Sequence, residues 1–380
     1  MKRLASLLAA SLLSFAALAD IPAPPALSAK SYALLDYQTG DLIADFNADQ
    51  RVEPASITKV MTVYIAFDEI KKGRVHLDDE VPISQKAWHE GIDSSESRMF
   101  IEVGQKVKLA DLLRGIIIQS GNDAAVAVAE YLGGSEDVFA QMMNQKAQEL
   151  GMKNTHFMDA SGMPNPEHYT TAHDIVLLAR ALIQNFPDFY KIFSEREFTF
   201  HGIKQYNRNG LLDKDPTVDG IKTGHTEAAG YCLLSSAVRD NRRLIAAVMG
   251  TPSWNYREQA NQSLLNWGYR FYETDALLGS SSPVTSVRIW KGAETQLPVG
   301  TLQPIELSLP NGSKDSLKII PTLNTPVIAP ITQGQALGQA QIQFNGKTLR
   351  TVDLVALKPI AKGSLWTRIV DQIRLWFHWV

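Results

Sequence analysis

The chain of 380 residues is long enough to fold as two domains, each burying a core of its own. A hydrophobic share of 45% and a charged share of 20% are those of an ordinary globular protein and exclude a disordered chain. The net charge of −3 leaves no electrostatic footprint for nucleic acid, and the lone cysteine rules out an internal disulfide.

Lys2 and Arg3 open the chain, followed by an apolar run over residues 4–18 broken only by Ser6, Ser11 and Ser14. Ala17-Leu18-Ala19 supplies the small residues that signal peptidase reads, which predicts a leader over residues 1–19 and export of a chain starting at Asp20. The run is shorter than the roughly 20 residues a membrane-spanning helix needs. In an exported chain Cys232, set in a strand-like stretch at 230–234, reads as a buried, inert thiol.

Past a proline-rich lead-in at 21–25, residues 32–36 and 42–46 read as a hairpin. Pro54 precedes a helix that begins near Ser56 and is apolar from 60 to 70, so it should be buried all round. Residues 109–118 and 124–132 predict helices joined at Ser120-Gly121-Asn122, and 139–150 and 172–183 predict two amphipathic ones. Residues 218–222, 230–238 and 244–250 then read as strands. A helix carrying Leu264, Leu265, Trp267 and Phe271 closes this unit. A hairpin and late strands completing one antiparallel sheet, with helices between, give an α+β domain over residues 20–278.

Residues 279–283 have linker composition. From 284 to 360 only strand-like alternation and turn residues occur, with Asn345-Gly346 marking a hairpin, so a small all-β domain is expected. Over 363–380, Leu365, Trp366, Ile369, Val370, Ile373, Trp376, Phe377 and Val380 recur at helical spacing, with Arg368, Asp371, Gln372 and Arg374 opposite them. A charged helix of this length falls short of a bilayer's thickness, and its tryptophans suit the membrane interface. Docking on the protein's own surface and a dimer contact are the alternatives.

Three short patterns that can carry chemistry occur in order: Ser56-Ile57-Thr58-Lys59, Ser120-Gly121-Asn122 and Lys222-Thr223-Gly224. Residues three apart share a helix face, so Lys59 can meet Ser56. A serine hydroxyl is a poor nucleophile until a base takes its proton. Lys59 is a base only when neutral, a state favoured by burial, by the positive end of its helix and by a second cation such as Lys222. Taken alone, the pattern equally describes a capping serine and a solvent-facing lysine. On the joint at 120–122, Ser120 could pass a proton to a leaving amine and Asn122 could bond a substrate amide; capping of the next helix is the plainer reading. Lys222 and Thr223 at a strand end suit a carboxylate, and Gly224 lets another backbone approach. No His-Glu-x-x-His occurs, and His168 and His173 lie five apart, off a common helix face, so no metal or other cofactor is expected. A Gly-x-Ser-x-Gly elbow is also absent.

The ordered triple is the signature of penicillin-binding proteins and class A β-lactamases. Residues 54–59, 119–123, 207–212 and 218–226, the small β domain and the terminal helix together resemble the low-molecular-mass penicillin-binding proteins, the D-alanyl-D-alanine carboxypeptidases. The resemblance spans essentially the whole mature chain. It implies a penicillin-binding protein/β-lactamase-like domain that removes the terminal D-alanine from peptidoglycan stem peptides ending in D-Ala-D-Ala. Such an enzyme limits cross-linking, is acylated by β-lactams, and sits at the periplasmic face of the inner membrane. By the same resemblance Ser56 would be acylated, Lys59 would be its base and Ser120 the proton relay. Backbone N–H groups of Ser56 and His225 would form the oxyanion hole. Lys222, Thr223 and Arg257 would hold the substrate carboxylate, with Arg208 as a neighbour; Arg257 could equally be a surface residue at a helix start. The Glu-x-x-Leu-Asn that gives class A lactamases their deacylating base is missing between Asn122 and Lys222, so slow release of β-lactams is expected. A DD-endopeptidase and a non-catalytic penicillin sensor remain the alternatives.

Overall fold

The computed structural model describes residues 21–89 and 96–377; the expected leader at 1–19 lies outside them. Five antiparallel strands, β1 (Ser31–Asp36), β2 (Leu42–Phe46), β3 (Val218–Thr226), β4 (Gly230–Arg239) and β5 (Arg242–Thr251), form one sheet in the order β2-β1-β5-β4-β3. Alternation at period two fills both of its faces. Ala33, Leu35, Ile245, Ala247 and Met249 face one core, and Leu34, Leu244, Ala246 and Val248 face the other.

The first core is helical. It holds α1 (Lys59–Lys71), α2 (Leu109–Arg114), α3 (Asn122–Gly133), α4 (Glu136–Glu149) and α5 (Ala172–Asn185). As its unbroken apolar run requires, α1 is buried continuously from Lys59 to Phe67. Hydroxyls set the starts of α4 and α5: Ser135 accepts from Val138 N and Thr171 from Asp174 N. The second core is closed by α6 (Trp254–Phe271) through Leu264 and Leu265. Helices on one face, a sheet in the middle and α6 with the short helix Leu211–Lys214 behind make the α+β layering that the sequence predicted.

Two local features differ from the sequence reading. The helix expected over 109–118 narrows to α2, after which Gly115–Gln119 widens into a π-helical turn ending at Ser120, whose φ is +69°. Two short ladders, Glu80–Pro82 with Lys106–Lys108 and Glu197–Phe200 with Ile203–Tyr206, were not anticipated. Both are too short to establish a period-two pattern.

The second unit comprises β6 (Tyr272–Leu278), β7 (Pro283–Trp290), β8 (Gln296–Gly300), β9 (Ile305–Pro310), β10 (Leu317–Leu323), β11 (Val327–Ile328), β12 (Ala336–Phe344) and β13 (Lys347–Ala356). Six of these form a sheet in the order β10-β12-β13-β8-β7-β11, while β6 pairs with β9. β6 falls inside the range 20–278 expected for the first domain, yet its ladder partner is in the second unit. Non-local pairing placed it there, which linker composition at 279–283 does not report. The β12–β13 turn has both Asn345 and Gly346 at positive φ, the geometry a two-residue hairpin demands. The turn of the β1–β2 hairpin joins the two units: Arg350 pairs with Asp41 and Ser308 Oγ lies 2.7 Å from Thr39 Oγ1.

The last helix, α7 (Leu365–Trp376), docks by its polar side, with Asp371 accepting from Lys291 N at 2.6 Å. Leu365, Trp366, Ile369, Trp376 and Phe377 stay exposed, Trp366 at 75%. Among the described residues no helix is long and apolar enough to cross a membrane.

Candidate active site

Ser56 sits in a tight turn, Ala55–Thr58, that runs straight into α1. Ala55 at φ +48° and Ser120 at φ +69° both occupy the left-handed region, which costs a non-glycine residue about 1–3 kcal/mol. These two strained turns flank one amine. Lys59 is fully buried, and its Nζ lies 3.0 Å from Ser56 Oγ, 2.6 Å from Asn122 Oδ1 and 2.7 Å from the Ser161 carbonyl oxygen.

The partners of that amine determine what it can do. Asn122 Nδ2 donates to Glu96 at 2.8 Å, so the amide oxygen must face Lys59. The Ser161 carbonyl is likewise an acceptor only. An uncharged amine gives its two N–H bonds to those oxygens and is left with one lone pair, facing Ser56. Burial brings the Lys59 amine down to about 7, against the opposing carboxylates of Asp159, Glu96 and Asp123 and with help from Arg208. A substantial neutral fraction therefore exists near pH 7. The solvent-facing lysine that the Ser-x-x-Lys spacing alone allowed is not what the fold builds.

The third pattern closes the cleft. β3 is the edge strand of the sheet, and a Cβ on Gly224 would lie 2.9 Å from the Pro54 carbonyl oxygen and 3.3 Å from Ala55 Cβ. Only a glycine lets the strand come this close to the serine turn. Lys222 and Thr223 are buried beside it, and His225 is exposed with its ring 4.0 Å from that of Tyr231. Among the described residues Lys222 Nζ has one hydrogen bond, to Thr223 O at 3.3 Å. Burial pushes its amine well below the ordinary lysine range, and the charges of Lys59, Arg208 and Arg257 add to the effect.

Arg257 is 1% exposed, so it is no surface residue at a helix start. Its guanidinium donates to the carbonyls of Gly224 and Arg208, both at 3.4 Å, and among the described residues its Nε has no hydrogen-bond partner. Arg208 Nε donates to the Gln119 carbonyl at 2.9 Å, beside Ser120. Contacts thus tie Ser56, Lys59, Asn122, Gly224, Arg208 and Arg257 together, with Ser120, Lys222, Thr223 and His225 on the same turn and strand. Cys232 is elsewhere in function: it is buried, and burial pushes its thiol up to about 11.

Sequence reasoning missed Glu96, Asp159 and Ser161, and weighed His168 only as a metal ligand. Glu96 fixes the Asn122 amide, Ser161 acts through its backbone, and Asp159 and His168 lie in an irregular stretch without periodicity. Residue-type spacing carries no trace of them.

A half-buried serine bonded to a fully buried lysine, under a cation-lined strand edge, defines a serine acyl-transfer hydrolase of the penicillin-binding protein fold. The family described as D-alanyl-D-alanine carboxypeptidase matches residues 19–253, and the penicillin-binding protein 5 C-terminal domain matches residues 272–362. The chain belongs to the D-alanyl-D-alanine carboxypeptidase family. It is 42% identical over 362 residues to D-alanyl-D-alanine carboxypeptidase DacA of Escherichia coli (strain K12), covering 94% of this chain and 90% of the relative. Penicillin-binding protein 5 from Haemophilus influenzae superposes with a TM-score of 0.83 at 37% identity, covering 89% of this chain and 99% of that one. Penicillin-binding protein D2 from Listeria monocytogenes, solved in its ampicillin-bound form, has a TM-score of 0.58 at 28% identity over 64% of this chain and 98% of its own.

Proposed function

We propose that this chain is a serine D-Ala-D-Ala carboxypeptidase that trims peptidoglycan pentapeptide stems through an acyl-enzyme on Ser56. The observation that carries the reading is the fully buried Lys59 amine, 3.0 Å from Ser56 Oγ with its other two directions taken by acceptors. The lone pair of neutral Lys59 takes the Ser56 proton as Oγ attacks the carbonyl of the penultimate D-alanine. The oxyanion is held by the backbone N–H groups of Ser56 and His225. The C–N bond then breaks, Ser120 relays a proton to the leaving nitrogen, and free D-alanine departs. Water hydrolyses the ester and restores Ser56.

Lys222, Thr223, Arg257 and Arg208 select a C-terminal carboxylate, since an arriving anion offsets the burial and neighbouring charges that hold the Lys222 amine low and favours its charged form. Asn122 orients Lys59 and borders the substrate amide. A β-lactam enters by the same acylation, but its leaving nitrogen stays tethered to the acyl group and blocks the water, so the adduct persists.

The apolar leader fits export to the periplasm. The outward apolar face of α7, docked by its polar side, fits anchorage in the interface of the inner membrane rather than docking on the protein itself. The test is incubation of the purified chain with a pentapeptide ending in D-Ala-D-Ala and, separately, with a cross-linked dimer. Release of free D-alanine from the first supports the reading. Cleavage of the dimer alone replaces it with an endopeptidase, and no turnover with a persistent penicillin adduct replaces it with a sensor.

A further inference from the structure

The turn at 159–163 lies directly against the turn that carries Ser56. A Cβ on Gly162, whose φ is +90°, would sit 1.9 Å from the Ala55 carbonyl oxygen and 2.8 Å from Thr58 Oγ1, so the two backbones are as close as glycine allows. Asp159 shapes this turn. Its Oδ1 accepts from the backbone N–H of Ser161 at 2.8 Å and of Gly162 at 2.5 Å, and its Oδ2 lies 3.2 Å from His168 Nδ1. His168 is buried, and its Nε2 is 2.9 Å from Oγ1 of Thr58, the residue before Lys59. With Nδ1–H donating to Asp159, Nε2 is left to accept from the Thr58 hydroxyl. A second tie follows from Thr62 Oγ1, which donates to the Ala160 carbonyl at 2.7 Å. The product of this framework is the Ser161 carbonyl, 2.7 Å from the Lys59 amine.

We propose that Asp159 and His168 are positioning residues for acylation: they hold the Ser161 carbonyl on the Lys59 amine and fix Thr58 beside it, so that the amine lone pair stays aimed at Ser56. The proposal rests on the reading of Lys59 as the base. Neither residue touches substrate, and both act through the amine. Asp159 adds a second influence, because among the carboxylates facing Lys59 (Asp159, Glu96 and Asp123, opposed by Arg208) its charge acts most strongly to keep the amine protonated.

The test measures acylation of the full chain by a labelled penicillin, as a rate constant and as a non-covalent dissociation constant, across pH. His168→Ala should lower the rate constant about 10- to 100-fold, the cost of a misplaced reacting group, with the dissociation constant within about twofold of the parent. His168→Gln, which can still bond Thr58, should recover part of the loss. Asp159→Asn keeps the shape of the turn and removes the charge, so the acid limb of the rate profile should move to lower pH. If His168→Ala does not fold, Asp159→Asn decides by that limb alone. Parent rates and an unmoved limb in folded variants, with only a lower Tm, would overturn the proposal while an inert Lys59→Ala leaves the base reading standing. Parent-like acylation by Lys59→Ala would instead remove the base reading and this proposal with it.

Discussion

The cleft around Ser56 and the sheet of the second unit are built from one chain with opposite inventories. In the cleft Lys59, Lys222 and Arg257 are each no more than 2% exposed, and among the described residues Arg257 Nε has no hydrogen-bond partner. The second unit is filled by Val287, Ile289, Leu297, Val299, Leu354 and Ala356, and its buried polar residues among those described from 272 to 362 are Thr301 and Ser313. Burying a lone ammonium is unfavourable by several kcal/mol in order of magnitude, so the cleft persists only because the helical core around it supplies the stability. The difference teaches where to look for chemistry: among the described residues the buried lysines and arginine gather in the cleft, while the second unit buries almost only apolar side chains.

The sharpest way to break this comparison is Ser56→Ala. Acylation by labelled penicillin should fall by more than about 10⁴-fold, read by mass spectrometry, with the fold intact. An adduct elsewhere in the cleft would reassign the nucleophile. The pH dependence comes next. Because the amine works only when neutral and lies at about 7, the acylation rate should fall about tenfold for each pH unit below that point, and level off above it. A flat profile from pH 5 to 8 would remove Lys59 as the base.

Lys222→Ala should lower kcat/KM for a peptide with a free C-terminal carboxylate by about 100-fold, and cost less for the same peptide as an amide. Equal losses for the two would mean that the cation serves the fold rather than the carboxylate. Leu354→Ala sharpens the other side of the comparison. It should destabilise the second unit by about 2–5 kcal/mol in denaturant melts and leave the acylation rate unchanged. The smallest effect on catalysis is expected from deleting residues after Lys362: turnover within about twofold of the parent, with binding to anionic vesicles lost in a flotation assay. Retained vesicle binding would refute the role given to α7.

Much of the fold was legible because burial repeats with the geometry of each element. The short apolar runs at 32–36 and 244–250 named strands of the central sheet, and the unbroken apolar run of 60–70 named a helix with no wet side. The short ladders at 80–82 and 197–200 were not legible, since three or four residues hold too little periodicity. The ten cleft residues were legible by type and by family resemblance, but their states were not.

The sequence by itself determined which residues could do chemistry, the sheet-and-helix order that holds them, and a terminal helix with two unlike faces. The tertiary structure alone decided that Lys59 is dry, that Arg257 is buried rather than exposed, and that Glu96, Asp159 and His168 reach the same amine or its supports. The physical reason is range. Periodicity reports which side of an element is turned inward, but the partner waiting there, such as the Ser161 carbonyl 102 residues from Lys59, is set by packing between elements.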